Sequence, residues 1–214
     1  MPAALRVNPT RMEMTRIKKR LATATRGHKL LKDKRDEMVR QFIGIIREND
    51  RLRREVEEEL SVALKNFALA RAVMEPQALE EAVLYPARQA ELVLGSKNIL
   101  SVHVPTIAVK EESLQETVQS YGFAETSSQL DGAIATLAEL LPKLVRLAEI
   151  EKSCDMLADE IEKTRRRVNA LEYVMIPQFQ QTIREISMKL EENERGATTR
   201  LMKVKDMMAQ RDAS

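Results

Sequence analysis

The stretch "IKKRLATATRGHKLLKDKRDEMVRQFIGIIRENDRLRREV", Ile17 to Val56, decides the fold. Along it, a stripe of mostly apolar residues recurs at alternating steps of four and three, which is the spacing of a coiled-coil seam. The seam consists of Ile17, Leu21, Ala24, His28, Leu31, Arg35, Met38, Phe42, Ile45, Asn49, Leu52 and Val56. More than five repeats in register predict one long helix that pairs with another helix.

A second seam lies near the other end of the sequence. It runs through Leu147, Ile150, Cys154, Leu157, Ile161, Thr164, Val168, Leu171 and Met175, and then through Phe179, Ile183, Ile186 and Leu190. In a strict heptad the seam residue after Met175 would be Gln178, three residues later. The seam instead continues at Phe179, four residues later, and this break in the heptad spacing is a stutter. The stutter coincides with Pro177, which cannot donate a backbone hydrogen bond to Tyr173. We therefore predict a bend at Pro177.

The first long helix has a stutter of its own and has boundary signals at both ends. After Val56 the seam steps by four to Leu60, where a strict heptad would require Glu59. Asn8 in "NPT" is the predicted N-cap, and the helix is expected to end just before Pro76. The second long helix is expected to start near Ser128, with Ser128 and Asp131 spaced as a capping box.

Residues 76–126 have a different pattern. "AELVLGSKNILSVHVP", Ala90 to Pro105, contains two β-prone runs around a predicted Gly-Ser-Lys-Asn turn, and Pro105 is expected to end the second run. An acidic stretch without clear periodicity follows. The apolar side chains of this hairpin need another surface to pack on, either the flank of the coil or a partner, because an isolated hairpin is marginal in water. They are Leu92, Leu94, Leu100, Val102 and Val104.

The predicted fold is all-α. Neither long helix can bury its apolar stripe alone, so the two helices are expected to pair. The N- and C-terminal helices form a long antiparallel two-stranded coiled coil, with a short β-hairpin/short-helix insert between them. The expected divisions are residues 1–75, 76–126 and 127–214, and both termini lie at one end of the coil.

Nothing in the sequence indicates catalysis. It contains no P-loop, GxGxxG, HExxH or paired-cysteine motif, so we expect no catalytic, cofactor-binding or metal-binding residues. The single cysteine, Cys154, lies on a seam and is expected to act as a small apolar residue. No apolar run approaches the ~20 residues of a membrane span. The N-terminus lacks a signal-peptide core, so a cytoplasmic protein is expected.

Charge is distributed unevenly along the chain. Residues 1–40 contain twelve Lys and Arg against four Asp and Glu, whereas residues 74–150 contain five against eleven. The two regions either meet different partners or are solvated faces. The consecutive Arg165, Arg166 and Arg167 fan over about 200° of helix surface. They serve either solubility or contact with acidic groups of a partner.

Methionines are concentrated near both ends of the chain. Antiparallel pairing is expected to bring five of them together at one end of the coil. Methionine adapts to irregular apolar surfaces, so this group either fills a fraying end or contacts an apolar collar of a partner. The five are Met12, Met14, Met202, Met207 and Met208.

Two long segments carry a family resemblance. "NPTRMEMTRIKKRLATATRGHKLLKDKRDEMVRQF" (8–42) and "EKTRRRVNALEYVMIPQFQQTIREISMKLEENERGATTRLMKVK" (162–205) resemble the D subunit of the V-type (A/V-type) ATPases. The match covers both long helices, whereas residues 76–126 carry less of the signature.

The resemblance implies a non-catalytic rotor shaft in the central stalk of an ion-translocating rotary ATPase or ATP synthase. Its implied partners are the A and B subunits of the hexameric head, the F subunit of the central stalk, and a funnel-shaped subunit on the membrane ring. Rotation of the shaft would couple ATP turnover to transport of H⁺ or Na⁺. The shaft would be cytoplasmic and peripheral to the membrane. It would itself bind no nucleotide or nucleic acid, and it would not insert directly into the membrane.

Two other functions are compatible with a coiled coil. The basic N-terminal region is compatible with nucleic-acid binding, although no set of stacking aromatic residues accompanies it. A tethering coil would form homodimers, whereas the antiparallel intrachain fold predicts a monomer before assembly.

Overall fold

The computed structural model describes residues 5, 7–84, 90–110, 121–122 and 126–212. Its elements, in chain order, are α1 (Arg11–Val73), α2 (Pro76–Leu84), β1 (Leu92–Ile99), β2 (Val102–Val109), α3 (Ser128–Ala170), a π-helical segment (Leu171–Met175) and α4 (Ile176–Asp212). Long N- and C-terminal helices with a small antiparallel sheet between them confirm the predicted fold class. Of the predicted acidic stretch after β2, residues 111–120 and 123–125 lie outside the described residues.

The seam predicted for α1 is confirmed. Every seam residue from Ile17 to Val56 is buried or half-buried, and Ile17, Met38 and Val56 are the most deeply buried of them. Burial of a stripe spaced by three and four residues holds α1 against a second helix.

The chain divides into two compact units. The terminal unit comprises Met1–Asp36 and Glu162–Ser214, and its core is built on Ile17, Phe179 and Ile186. Two contacts between helices give the direction of pairing. Arg11 contacts the Glu194 carboxylate, and His28 Nε2 lies 3.4 Å from Glu172 Oε2. Numbers fall on one helix as they rise on the other, so the pairing is antiparallel.

The central unit, Glu37–Ile161, is also built on antiparallel helices. Met38 and Leu157 share one buried cluster, and Ala70 and Leu130 share another. Ion pairs flank the seam between these clusters. Arg146 Nη2 lies 3.4 Å from Glu48 Oε1, Arg53 Nη2 lies 3.0 Å from Glu151 Oε1, and Lys143 Nζ lies 2.8 Å from Glu55 Oε1 and also contacts Glu59.

The hairpin turn lies at Leu100 and Ser101, so the predicted Gly-Ser-Lys-Asn turn was wrong. Both turn residues have positive φ, 49° and 74°, as in a two-residue hairpin turn. Asn98 Oδ1 accepts a hydrogen bond of 2.9 Å from Ser101 N–H and stabilises the turn. Gly95 instead lies inside β1, where a Cβ would come 2.5 Å from Thr106 Oγ1. A side chain at position 95 would therefore force the Thr106 side chain on β2 to move.

Pro105 does not end the second strand, which was also predicted wrongly. β2 continues to Val109, and Pro105 lies opposite Ser96. Proline is tolerated because its nitrogen faces the outer edge of β2, where the ladder needs no donor.

Neither predicted helix cap is present among the described residues. Thr10, not Asn8, caps α1, because Thr10 Oγ1 accepts a hydrogen bond of 3.2 Å from Glu13 N–H. α3 begins at Ser128 as predicted, but Asp131 is not part of a capping box. Its carboxylate accepts a hydrogen bond of 2.6 Å from Tyr121 Oη, which links Tyr121 to α3.

Candidate partner-binding surfaces

The three consecutive arginines lie on the outer side of α3. Arg165, Arg166 and Arg167 are all exposed, whereas the seam residues on either side of them, Thr164 and Val168, are each 1% exposed. The ion pair of Arg166 is a loose one, 3.6 Å from Glu162 on the preceding turn. The triplet is therefore a cationic surface that points away from the coil.

The five methionines are not brought together. Met14 is partly buried against the core of the terminal unit, whereas Met12 is 82% exposed. Because Arg11 contacts Glu194, Met202 lies eight residues, or about 12 Å, farther along α4.

Leu5 and Val7, which precede α1, lie against the middle of the terminal unit and not beside the end of α4. Leu5 N–H donates a hydrogen bond of 3.0 Å to Thr182 Oγ1, twelve residues before Glu194. Leu5 and Val7 both pack on the core of the terminal unit. Leu5 and Val7 therefore do not cover the last part of α4.

The C-terminal part of α4 is exposed. From Arg195 to Met208 every residue except Gly196 is exposed. Met202, Met207 and Met208 are 62%, 52% and 62% exposed. Leu201, Val204 and Met208 are also spaced to lie on one helical face, so this end presents an uncovered apolar stripe.

The stutter at Pro177 takes the form of a π-helical segment. Ile176 N–H donates to the carbonyl of Leu171, five residues back instead of four, so the wider turn absorbs the inserted residue. The seam resumes at Phe179, which is 7% exposed. Met175 was predicted on the seam but is 41% exposed, because the wider turn displaces it from the buried stripe. The bend itself stays a prediction.

An open groove of about 550 Å³ lies beside the displaced Met175. Both apolar and cationic side chains line it. The apolar residues are Ala24, Leu171, Met175 and Phe179, and the cationic ones are Arg16, Lys19 and Arg20.

The hairpin residues divide into two groups. Val102 and Val104 are buried against Met38 and Leu157, and Leu100 is half-buried on the same cluster. The other two, Leu92 and Leu94, are 51% and 73% exposed. The turn end of the hairpin thus belongs to the core of the central unit, and its open end does not.

Comparison with known proteins identifies the family to which a chain with these surfaces belongs. The family model of the ATP synthase D subunit matches residues 13–206. The chain is 56% identical over 211 residues to the V-type ATP synthase D subunit of Clostridium botulinum (strain Alaska E43 / Type E3), covering 98% of this chain and 99% of the relative. It is 56% identical over 214 residues to that of Clostridium novyi (strain NT), covering 99% of each.

The chain belongs to the D-subunit family of V-type ATP synthases. It is therefore a subunit of the V-type ATPase, a rotary complex in which the D subunit is non-catalytic. The family does not by itself assign roles to the surfaces described above.

Three further findings concern metal ligands, the cysteine and membrane spans. Within the described ranges, no group of three or more His, Cys, Asp or Glu side chains is placed to hold a metal ion. Burial, and then the nearby Asp155 and Glu151 carboxylates, raise the pKa of the Cys154 thiol, so it is a weak nucleophile at neutral pH. No helix among the described residues has the length and apolar character to cross a bilayer.

Proposed function

We propose that the chain is the central rotor shaft of the V-type ATPase. It transmits torque between ATP turnover in the A/B head and transport of H⁺ or Na⁺ in the membrane ring. Its partners are the A and B subunits, the F subunit of the central stalk and the funnel-shaped subunit on the ring. In this role the chain is cytoplasmic and peripheral to the membrane.

The observation that carries this proposal is the contrast between the buried seam and the exposed C-terminal part of α4. The seam is buried within one chain in both units, so pairing with a second copy is not needed for stability. After Glu194, α4 instead presents Leu201, Met202 and Met208 to the outside. Flexible apolar side chains suit a surface that slides against changing neighbours without being held by any of them.

Two further features supply the asymmetry that a shaft needs. A shaft that looked the same from every direction could not distinguish three catalytic sites. The triplet Arg165–Arg167 charges one side of α3, and the π-helical segment displaces Met175 into an open groove. Both features support a shaft whose sides differ in charge and in shape.

A reversible cross-link between α4 and the head tests the proposal. Met207→Cys is introduced in a Cys154→Ala background, and the assembled complex is treated with a thiol-cleavable cross-linker. Linking α4 to the A/B head is expected to lower ATP turnover more than tenfold, because rotation is blocked. Reduction of the linker is expected to restore turnover.

A second cross-link controls for damage to the chain. Arg11→Cys and Glu194→Cys, whose parent side chains touch, join α1 to α4 but leave the chain free of the head. This link is expected to leave turnover unchanged. Full turnover with α4 quantitatively linked to the head would show that the chain does not rotate and would overturn the proposal.

A further inference from the structure

The outer edge of β1 is uncovered over nearly its whole length. Every residue from Glu91 to Asn98 is exposed. Among the described residues, β1 and β2 form a two-stranded sheet, so each strand has one edge that bonds to the other strand and one edge without a neighbouring strand.

The backbone pairing shows which groups point outward. Lys110 N–H donates a hydrogen bond of 2.9 Å to Glu91 O, so these two residues form a hydrogen-bonded pair. Such pairs alternate with non-bonded pairs along an antiparallel ladder. Four residues of β1 therefore direct N–H and C=O groups away from β2: Leu92, Leu94, Ser96 and Asn98.

The outer edge of β2 is treated differently. Ile107 N–H, which also points outward, donates a hydrogen bond of 3.2 Å to Glu149 Oε2 on α3. Pro105, two residues earlier, has no N–H to offer. For the outward backbone groups of β1, by contrast, no hydrogen bond to an atom outside the hairpin is present among the described residues.

The side chains of β1 add apolar surface to this open edge. Leu92, Val93 and Leu94 are 51%, 56% and 73% exposed. A strand edge with unpaired backbone groups and exposed apolar side chains is a template for pairing, and proteins normally protect it. β2 has two such protections and the outer edge of β1 has neither.

We infer that the outer edge of β1, Leu92 to Asn98, receives an extended segment of another protein of the V-type complex as a third strand. Bonding to every second residue requires a partner backbone in the β conformation, because a helix uses its backbone groups internally. Alternate apolar residues of that segment would cover Leu92 and Leu94. The inference rests on family membership and goes beyond the rotor role.

Residue-resolved hydrogen exchange tests the inference on the free chain and on the purified complex. In the free chain the outward amides of Leu94, Ser96 and Asn98 are expected to exchange fast. In the complex their exchange is expected to slow roughly tenfold or more, because each gains an acceptor. The inward amides of Gly95 and Lys97 bond to β2 in both states and serve as an internal reference.

A proline variant separates strand pairing from simple shielding. Ser96→Pro removes one outward N–H and leaves the β1–β2 ladder intact, as Pro105 does opposite it. In complexes carrying Ser96→Pro, the amides of Leu94 and Asn98 are expected to lose their added protection. The matched Ser96→Thr variant keeps the N–H and is expected to retain that protection.

Three results would overturn the inference. The first is equal exchange of the outward amides in the free chain and in the complex. The second is protection in the complex that Ser96→Pro leaves unchanged while the Gly95 and Lys97 amides stay protected, because a neighbour would then merely be shielding the edge. The third is protection in the free chain that rises with its concentration, because the occupant would then be a second copy.

Discussion

The two stutters of the coil, one in each unit, are resolved in different ways. In the central unit the seam steps from Val56 to Leu60, and α1 stays α-helical throughout. Glu59, which occupies the strict heptad position, is half-buried, and its carboxylate contacts Lys143 together with that of Glu55. An ion pair at the edge of the seam thus accommodates the extra residue in a regular helix.

In the terminal unit the stutter before Phe179 is absorbed by the π-helical segment Leu171–Met175. Pro177 is the second residue of α4, and because it lacks an N–H the regular hydrogen-bond ladder is not available there. The wider turn leaves Met175 exposed beside an open groove. At the first stutter, an ion pair covers the side of a regular helix. At the second, proline prevents a regular helix and the surface is irregular.

The largest expected effect tests whether the π-helical segment resets the seam. Phe179→Ala is expected to lower the free energy of unfolding by about 3–5 kcal/mol, because it empties a buried aromatic site. Met175→Ala is expected to lower it by about 1 kcal/mol or less, because that side chain is displaced from the seam. Chemical denaturation of both variants measures the difference. Equal losses would mean that Met175 still belongs to the seam.

The next effect compares the two ends of the hairpin. Val104→Ala is expected to lower the free energy of unfolding by about 2 kcal/mol, because Val104 is 2% exposed and packs in the cluster with Met38 and Leu157. Leu94→Ala is expected to change it by at most about 0.5 kcal/mol. Urea titrations of the free chain provide the measurement. A large loss from Leu94→Ala would place the open end of the hairpin in the core.

A smaller effect is expected from Pro177→Ala. The new N–H can donate to Tyr173, so the π-helical segment is expected to become α-helical and the chain to gain about 1 kcal/mol. Weaker coupling of ATP turnover to transport is expected despite the higher stability. Pro142→Ala, inside α3 of the other unit, is the control and is expected to leave coupling unchanged. If the Pro177→Ala variant has a lower melting temperature and normal coupling of ATP turnover to transport, the irregular helix has no mechanical role.

The smallest effect concerns the ion pairs of Lys143. Hydrogen bonding to Lys143 lowers the pKa of Glu55 below 4.5, and hydrogen bonds to Glu55 and Glu59 raise the pKa of Lys143 above 10.5. A lowered carboxyl pKa stabilises the fold above about pH 4.5, and this stabilisation is lost as the pH falls through the folded-state pKa. A raised lysine pKa stabilises it below about pH 10.5, and this is lost as the pH rises.

Lys143→Met is therefore expected to lower the melting temperature slightly between about pH 4.5 and 10.5. The gap to the wild type is expected to close as the pH falls from 5 to 3. Lys152→Met, at an exposed lysine on the same helix, is the control and is expected to leave the melting temperature unchanged. A gap that persists at pH 3 would mean that packing, not charge, is lost.

Local sequence patterns predicted the helices well because helix pairing depends on spacing along one chain. The burial of Ile17, Met38 and Val56 followed from steps of three and four alone. The stutter before Phe179 was also visible as a broken step. The local structure at this stutter could not be predicted, because a bend, an unwound supercoil and a π-helical segment can each accommodate one extra residue.

The sequence by itself determined that this chain closes an antiparallel coil on itself and which family it resembles. Only the tertiary structure decided where the hairpin turns, since burial of Val102 and Val104 against Met38 and Leu157 places the turn at Leu100 and Ser101 and overrides the local Gly-Ser-Lys-Asn signal. It likewise decided which apolar residues stay outside. Whether an apolar residue is exposed depends on which distant segments of the chain cover it. The spacing of residues along one helix does not predict this.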